Sequence, residues 1–178
     1  MQNQSLISHA EKLYPICRSI TGEGIKNTLS YFEKINIDLQ RQRFESGTKV
    51  FDWVIPKVWN ISEAYIEHLD SGKKFANFLD CNLHVVGYSK PVDLEIDLNK
   101  LKEKIFTRPD KPNWIPYVTS YYKTDWGFCM SQKQKDSLPK GKYKIKIVSS
   151  FTDDYLELSH AILKGKQKKE IFFSSYVC

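Results

Sequence analysis

Near the start of the chain apolar residues recur at spacings of three and four: Leu6, Ile7, Ala10, Leu13, Tyr14 and Cys17 form one stripe within residues 4–17. That period puts them on one face of an amphipathic helix, with Ser5 or Asn3 as its N-cap. A polar break, Arg18-Ser19-Ile20-Thr21-Gly22, precedes a second helix predicted over roughly 23–35, where Ile25, Leu29, Phe32 and Ile35 share a face. From Ile37 to Phe44 the pattern turns extended.

Between Ser46-Gly47 and about Phe151 the period is mostly two. Strands are predicted at Val50–Val54, Trp59–Ile66, Lys74–Leu79, Leu83–Tyr88, Val92–Ile96, Trp126–Met130 and Tyr143–Val148, with breaks at Ser71-Gly72, Pro91 and Gly141. Asp97 can cap a helix over 98–106, and Ser131 a short turn to Ser137. Three prolines within Arg108–Pro116 require a loop. The third part, Tyr155–Cys178, reads as two strands around the basic turn Lys164-Gly165-Lys166. Its last run, with Ile171, Phe172, Phe173, Tyr176 and Val177, reads as a buried strand that no turn follows, so the chain is expected to be cut there. In open α/β folds the working residues sit just beyond the carboxyl ends of such strands.

Composition narrows the class. With 178 residues, 41% hydrophobic and 13% aromatic, the chain has enough apolar material for one large or two small packed domains, which excludes a disordered chain. Its four cysteines (Cys17, Cys81, Cys129, Cys178) are far apart, with no CxxC pair, and the N-terminus is polar where a signal peptide would be apolar. Reduced thiols in a cytoplasm are the expectation. No run approaches the roughly 20 apolar residues of a membrane helix. Of the +6 formal charge, much lies at Lys133, Lys135, Lys140, Lys142, Lys144 and Lys146. The last three alternate with Tyr143, Ile145 and Ile147, as in a strand with one basic face. Edge lysines protect a sheet from aggregation, so a solvated face is expected. A nucleic-acid or anionic-polymer surface is the alternative.

Candidate chemistry is sparse. No glycine-rich phosphate loop is present, and Thr21-Gly22-Glu23-Gly24 before the second helix is the nearest approach. Arg18 beside that turn could clamp a carboxylate, or could simply pair with Glu23 or Glu11. His9, His68, His84 and His160 are dispersed without metal-ligand spacing, so no metal site and no catalytic residue is assigned to this chain. His84, between Leu83 and Val85, reads as a core or cleft-wall histidine. Trp114, Tyr117, Tyr121, Tyr122, Trp126 and Phe128 form a dense aromatic cluster, suited to a core or to a sugar or peptide cleft. The substrate-binding candidates are therefore Arg18, Thr21, Gly22, His84, Tyr121, Tyr122 and Trp126.

Five ordered strings carry a further signal: LYPICRSITGEG (13–24), SGTKVFDWVIPKVWNI (46–61), CNLHVVGYSKPVD (81–93), IPYVTSYYKTDWGFC (115–129) and SSYVC (174–178). Together they resemble a bacterial family of polysaccharide-biosynthesis proteins with an aminopeptidase-like domain. Its members are more than twice as long. The resemblance implies a zinc-aminopeptidase-like α/β domain, interrupted near its start by a β-rich domain of unknown function and often followed by a winged helix. The fold class is then α+β: N-terminal helices (1–45) and last strands (151–178) from an incomplete aminopeptidase-like α/β domain, with an inserted β-rich domain at 46–150. In longer relatives the strand matching Ile171–Cys178 leads into His-Pro, whose histidine looks like the first zinc ligand. The remaining ligands and the Glu general base lie beyond it, so zinc is expected in full-length relatives and no cofactor in this chain.

Three functions follow. The chain is the N-terminal piece of a cytoplasmic metallo-aminopeptidase-like protein, inactive without a complementing C-terminal polypeptide or further sequence. Alternatively the β-rich domain is a module for a peptide- or glycan-related substrate, with Tyr121, Tyr122 and Trp126 as its platform. The third makes the basic strand a polyanion surface. In the first, Arg18, Thr21 and Gly22 line the substrate cleft together with His84 and Tyr121.

Overall fold

Residues 5–35 and 38–177 are described by a computed structural model. Asn3, Ile37 and Cys178, on which some sequence expectations fall, lie outside the described residues. In chain order the elements are α1 (Leu6–Leu13), α2 (Glu23–Lys34), β1 (Gln40–Glu45), β2 (Lys49–Val50), β3 (Trp53–Val54), β4 (Val58–His68), β5 (Lys74–Phe75), a 3₁₀ turn (Asn82–His84), β6 (Val92–Asp97), α3 (Leu98–Lys102), β7 (Ile105–Phe106), β8 (Phe128–Cys129), α4 (Gln132–Asp136), β9 (Lys142–Thr152) and β10 (Tyr155–His160). Helices and small sheets are mixed, an α+β arrangement. They divide into two units, one taking the described residues up to Val58 and from Thr152 onward, the other Trp59–Phe151.

In the first unit Ser5 caps α1 through its side chain, which accepts from the Ser8 amide. Strands β1 and β10 pair antiparallel from Gln40↔His160 to Glu45↔Tyr155. That register puts Arg41 and Arg43 opposite Ser159 and Glu157 on one face. The buried Glu157 carboxylate accepts from Arg41 at 3.0 Å and from Arg43 at 2.8 Å. Arg41 also donates to Glu33 at 2.9 Å and Ser30 at 2.7 Å, both on α2. A carboxylate leaves water at a cost of several kcal/mol unless charged donors replace the lost hydration, and here two guanidinium groups do so while tying the helix to the ribbon.

Ser46–Val58, assigned by its period-two pattern to the β-rich domain, lies in the first unit. The Ser46 amide donates to the Asp154 carbonyl at 2.9 Å, and Lys26 on α2 bonds the Asp154 carboxylate at 2.8 Å. The expected strand over 50–54 is a tight hairpin, β2 against β3, because Phe51 turns at φ 55. Period two is local and cannot say which sheet owns a strand. The predicted strand at Ile171–Val177 is not formed. Among the described residues none after His160 is in regular structure, and Ile171, Phe172, Phe173 and Tyr176 are exposed. A strand needs a neighbour for its ladder of hydrogen bonds, and among the described residues none pairs with this run.

The second unit is built on a four-stranded sheet of order β5-β4-β9-β6. Alternation sends Ala64, Ile66 and His68 of β4, Tyr143, Ile145 and Ile147 of β9, and Val92 of β6 into the core. Val85, Val86, Leu101, Ile105, Phe128, Met130 and Leu138 of the same unit are buried as well. The lysines of β9 are not an edge device, since β9 is an interior strand. Lys142, Lys144 and Lys146 stand opposite Asp97, Glu95 and Asp93, and Asp93 is ion-paired with both Lys144 and Lys146. Each lysine of the stripe thus faces a cross-strand acid, the arrangement of a solvated strand face. Lys74, opposite Glu67, lies 3.7 Å over the Tyr65 ring.

Several local expectations are shortened. The helix at 98–106 is only α3, followed by β7, and Asp97 makes no side-chain cap bond. The strand at 83–88 is a 3₁₀ turn with isolated bridges, the strand at 74–79 stops at Phe75, and the one at 126–130 is two residues long. Ser131 forms a full capping box with Gln134 at α4.

Candidate functional site

Arg18, Thr21 and Gly22 belong to the first unit, whereas His84, Tyr121, Tyr122 and Trp126 belong to the second.

Gly22 is the N-cap of α2 with φ 98, a left-handed value that a side chain resists. Thr21 is buried. The Arg18 guanidinium donates to the Leu13 carbonyl at the end of α1, where a cation also complements the helix dipole. Glu23, offered above as a partner for Arg18, has its carboxylate 3.3 Å from Lys26. The backbone of Cys17 and Arg18 lies directly on Gly24 in the first turn of α2, so the break between the helices is a packed joint.

His84 is buried, and its Nδ1 sits 2.8 Å from the Cys129 carbonyl oxygen. A carbonyl only accepts, so Nδ1 carries a hydrogen and the ring links the 3₁₀ turn to β8. Burial pushes the Cys129 thiol up to about 12, which makes it a poor nucleophile.

The aromatic residues separate into two sets. Phe128 is fully buried, and Trp126 stands edge-on to it at 6.5 Å with Lys104 5.5 Å over its indole. Lys104 also donates to Asp125 at 2.6 Å. These groups lie against Trp126, which is half-buried.

Tyr117, Tyr121 and Tyr122 form the other set. Tyr122 is 86% exposed and Tyr117 is 55% exposed. The Tyr117 and Tyr121 hydroxyls lie 3.2 Å apart, and the Tyr121 and Tyr122 rings stand at 78° to one another with centroids 6.3 Å apart. Beneath them, the buried Tyr88 meets Tyr121 edge-on at 4.8 Å and stacks on Trp59 at 5.7 Å. Tyr88 has φ 64, a strained backbone for a bulky residue, at a cost of order 1–3 kcal/mol.

The next residue holds that strain in place. Ser89 is fully buried; its hydroxyl donates to the Val86 carbonyl at 2.6 Å and accepts from the Gly127 amide at 3.2 Å. Its carbonyl accepts from the Trp59 indole at 2.9 Å and from Ser149 at 2.8 Å. The tyrosine loop is pinned on both sides. Gly87 donates to Val118 and accepts from Ser120, and Lys90 donates to the Asp125 carbonyl, all within 2.8–2.9 Å. Sequence reasoning found Tyr121 and Tyr122 but missed Trp59, Tyr88 and Ser89. Nothing local marks Tyr88 as left-handed, and Trp59 is far from it in the chain.

Two carboxylates in this unit are held at about 2, below the usual aspartate range: Asp125 mainly by its bond from Lys104, and Asp93 mainly by Lys144 and then Lys146. A lowered carboxylate pKa stabilises the fold above its unfolded value of about 3.9 and loses that contribution as pH falls through the folded value. The melting temperature should therefore drop as pH falls from about 4 to 2. The drop should be modest, since these pairs are solvent-screened, and Asp125→Asn should flatten part of it. A profile identical in wild type and variant would count against the Lys104 pairing.

Among the described residues no group of three His, Cys, Asp or Glu side chains is placed to hold a metal ion. None of their helices is long and apolar enough to cross a membrane.

Residues 58–150 match a domain of unknown function (DUF2172), within one residue of the second unit at each end. The chain is 42% identical over 168 residues to a protein of Clostridium acetobutylicum, provisionally named a polysaccharide biosynthesis protein with aminopeptidase-like domain. That alignment covers 94% of this chain and 38% of the relative. A crystal structure from the same organism, provisionally titled a peptidase, superposes with a TM-score of 0.81 at 43% identity, covering 85% of this chain and 36% of that one. The chain thus spans well under half the length of either relative.

Proposed function

The chain belongs to the family that carries this domain of unknown function (DUF2172), and we propose that it works as the recognition part of an aminopeptidase-like protein. The second unit binds a peptide- or glycan-related substrate. The observation that carries this reading is the tyrosine array: exposed rings at Tyr117 and Tyr122, both in contact with Tyr121, which stands edge-on against the buried, strained Tyr88. Strain held by several independent hydrogen bonds on one loop is characteristic of positions that orient a ligand.

Zinc, implied by the resemblance for longer members, does not fit the residues described. His9 faces the Tyr31 hydroxyl at 2.6 Å, and His68 lies between Ser71 at 2.8 Å and the Lys140 carbonyl at 3.0 Å. His84 is engaged with Cys129. A catalytic zinc needs three protein ligands within about 2.0–2.3 Å, and the described residues bring no such set together. On this reading hydrolysis depends on groups supplied by a complementing polypeptide or by the rest of such a protein, in a cytoplasmic setting. Arg18, Thr21 and Gly22 remain proposed substrate contacts of that larger assembly.

The purified chain is expected to keep no stoichiometric zinc after dialysis and to release no p-nitroaniline from amino-acid p-nitroanilides. Bound zinc with turnover would overturn this division of labour. The recognition role is tested by ¹³C-tyrosine spectra of the full chain titrated with tetra-alanine amide and with cellotetraose. Movement of the Tyr117, Tyr121 and Tyr122 resonances by either compound supports it. Silence at all three with both overturns it.

A further inference from the structure

The tyrosine array is better suited to a sugar than to a peptide, and we infer that Tyr117, Tyr121 and Tyr122 form a saccharide subsite for β-linked, gluco-configured pyranoses. This rests on the recognition role proposed above and names the ligand class of that site.

Three observations carry it. First, the two perpendicular rings of Tyr121 and Tyr122 form a corner rather than a flat patch, and Tyr122 is open to solvent over most of its surface. A pyranose with all-equatorial hydroxyls presents flat faces of axial C–H bonds. Such a face can stack on Tyr122 and release water from both apolar surfaces. Secondly, the polar atoms of the corner are phenol hydroxyls. The Tyr117 and Tyr121 oxygens lie 3.2 Å apart, so they can present a donor and an acceptor side by side, as the vicinal hydroxyls of a sugar require. Thirdly, the features a peptide would use are already engaged. The backbone of Val118 and Ser120 is bonded to Gly87, which leaves that stretch unsuited to added-strand pairing. Asp125, an acid on the same loop that could receive a peptide amine, is held by Lys104 at 2.6 Å and Lys123 at 3.5 Å. Trp126, covered by Lys104, stays outside the subsite.

Cellotetraose supplies the probe for the saccharide and tetra-alanine amide the probe for a peptide, both with the full ¹³C-tyrosine-labelled chain. Cellotetraose is expected to shift the ring resonances of all three tyrosines in a saturable way. Tyr122→Ala should weaken it by about tenfold, the scale of one aromatic stacking contact. Tyr117→Phe, which keeps the ring and removes the hydroxyl, should weaken it less. Trp126→Phe should leave it unchanged. Because Tyr122 is exposed, its variant should melt at the wild-type temperature, which separates lost binding from lost fold. If tetra-alanine amide moves the three tyrosines and cellotetraose does not, the saccharide assignment is overturned while the recognition role stands. If neither does, both are overturned. Equal cellotetraose binding by wild type and Tyr122→Ala also overturns the subsite.

Discussion

Phe128→Ala is expected to destabilise the second unit by about 3–5 kcal/mol, the cost of deleting a fully buried aromatic ring and leaving its cavity. Phe128 has no exposed surface. It pairs with Ile105 across β7 and β8, bridges to Val85, and donates its amide to the Lys104 carbonyl at 2.9 Å. The same segment carries Gly127, whose amide bonds Ser89, so relaxation around the cavity reaches the support of Tyr88. Urea unfolding followed by amide exchange of β4 and β9 would measure the effect. A loss under about 1 kcal/mol would show that the neighbouring side chains collapse into the space, against the tight packing described.

The largest effect in the first unit is expected from Gly24→Ala. A Cβ at Gly24 would lie 1.8 Å from the Cys17 carbonyl oxygen and 2.8 Å from its carbon. Both are backbone atoms, which cannot rotate away. The joint between α1 and α2 must open, at a cost of about 3 kcal/mol or more, beyond ordinary overpacking. Amide exchange in α2 should quicken while β9 of the other unit stays protected, and a single stability for the whole chain would hide this. Gly165, with nothing within 4 Å, is the control, and its alanine variant should stay within about 0.5 kcal/mol of wild type. Unchanged exchange in Gly24→Ala would refute the close approach of Cys17.

Elements governed by neighbours a few residues away were legible in the sequence. The helix predicted over 4–17 is present as the shorter Leu6–Leu13, with no buried residue, the one predicted over roughly 23–35 as Glu23–Lys34, and the predicted cap at Ser131 is formed. The alternation of Tyr143, Ile145 and Ile147 with lysines marked a two-faced strand, and the buried set is the predicted one. The five strings that resemble the aminopeptidase-like family find their counterpart in the similarity to the Clostridium acetobutylicum protein. Tyr121 and Tyr122 stood out through aromatic density alone.

What the sequence determined by itself is therefore local period, capping and family. Periodicity and caps act over a few residues, and family likeness is carried by the order of residues itself. Tertiary structure alone decided what covers each face and which loop is rigid. The acids opposite Lys142, Lys144 and Lys146 come from β6, a strand distant in the chain, and the apolar run at Ile171–Val177 forms no strand because no described strand pairs with it. Tyr88 takes its left-handed backbone because Ser89 is fixed by Trp59, Gly127 and Ser149. Those hydrogen bonds join residues that meet only after folding, and their combined energy, absent from any short window of sequence, turns two ordinary tyrosines into a braced surface.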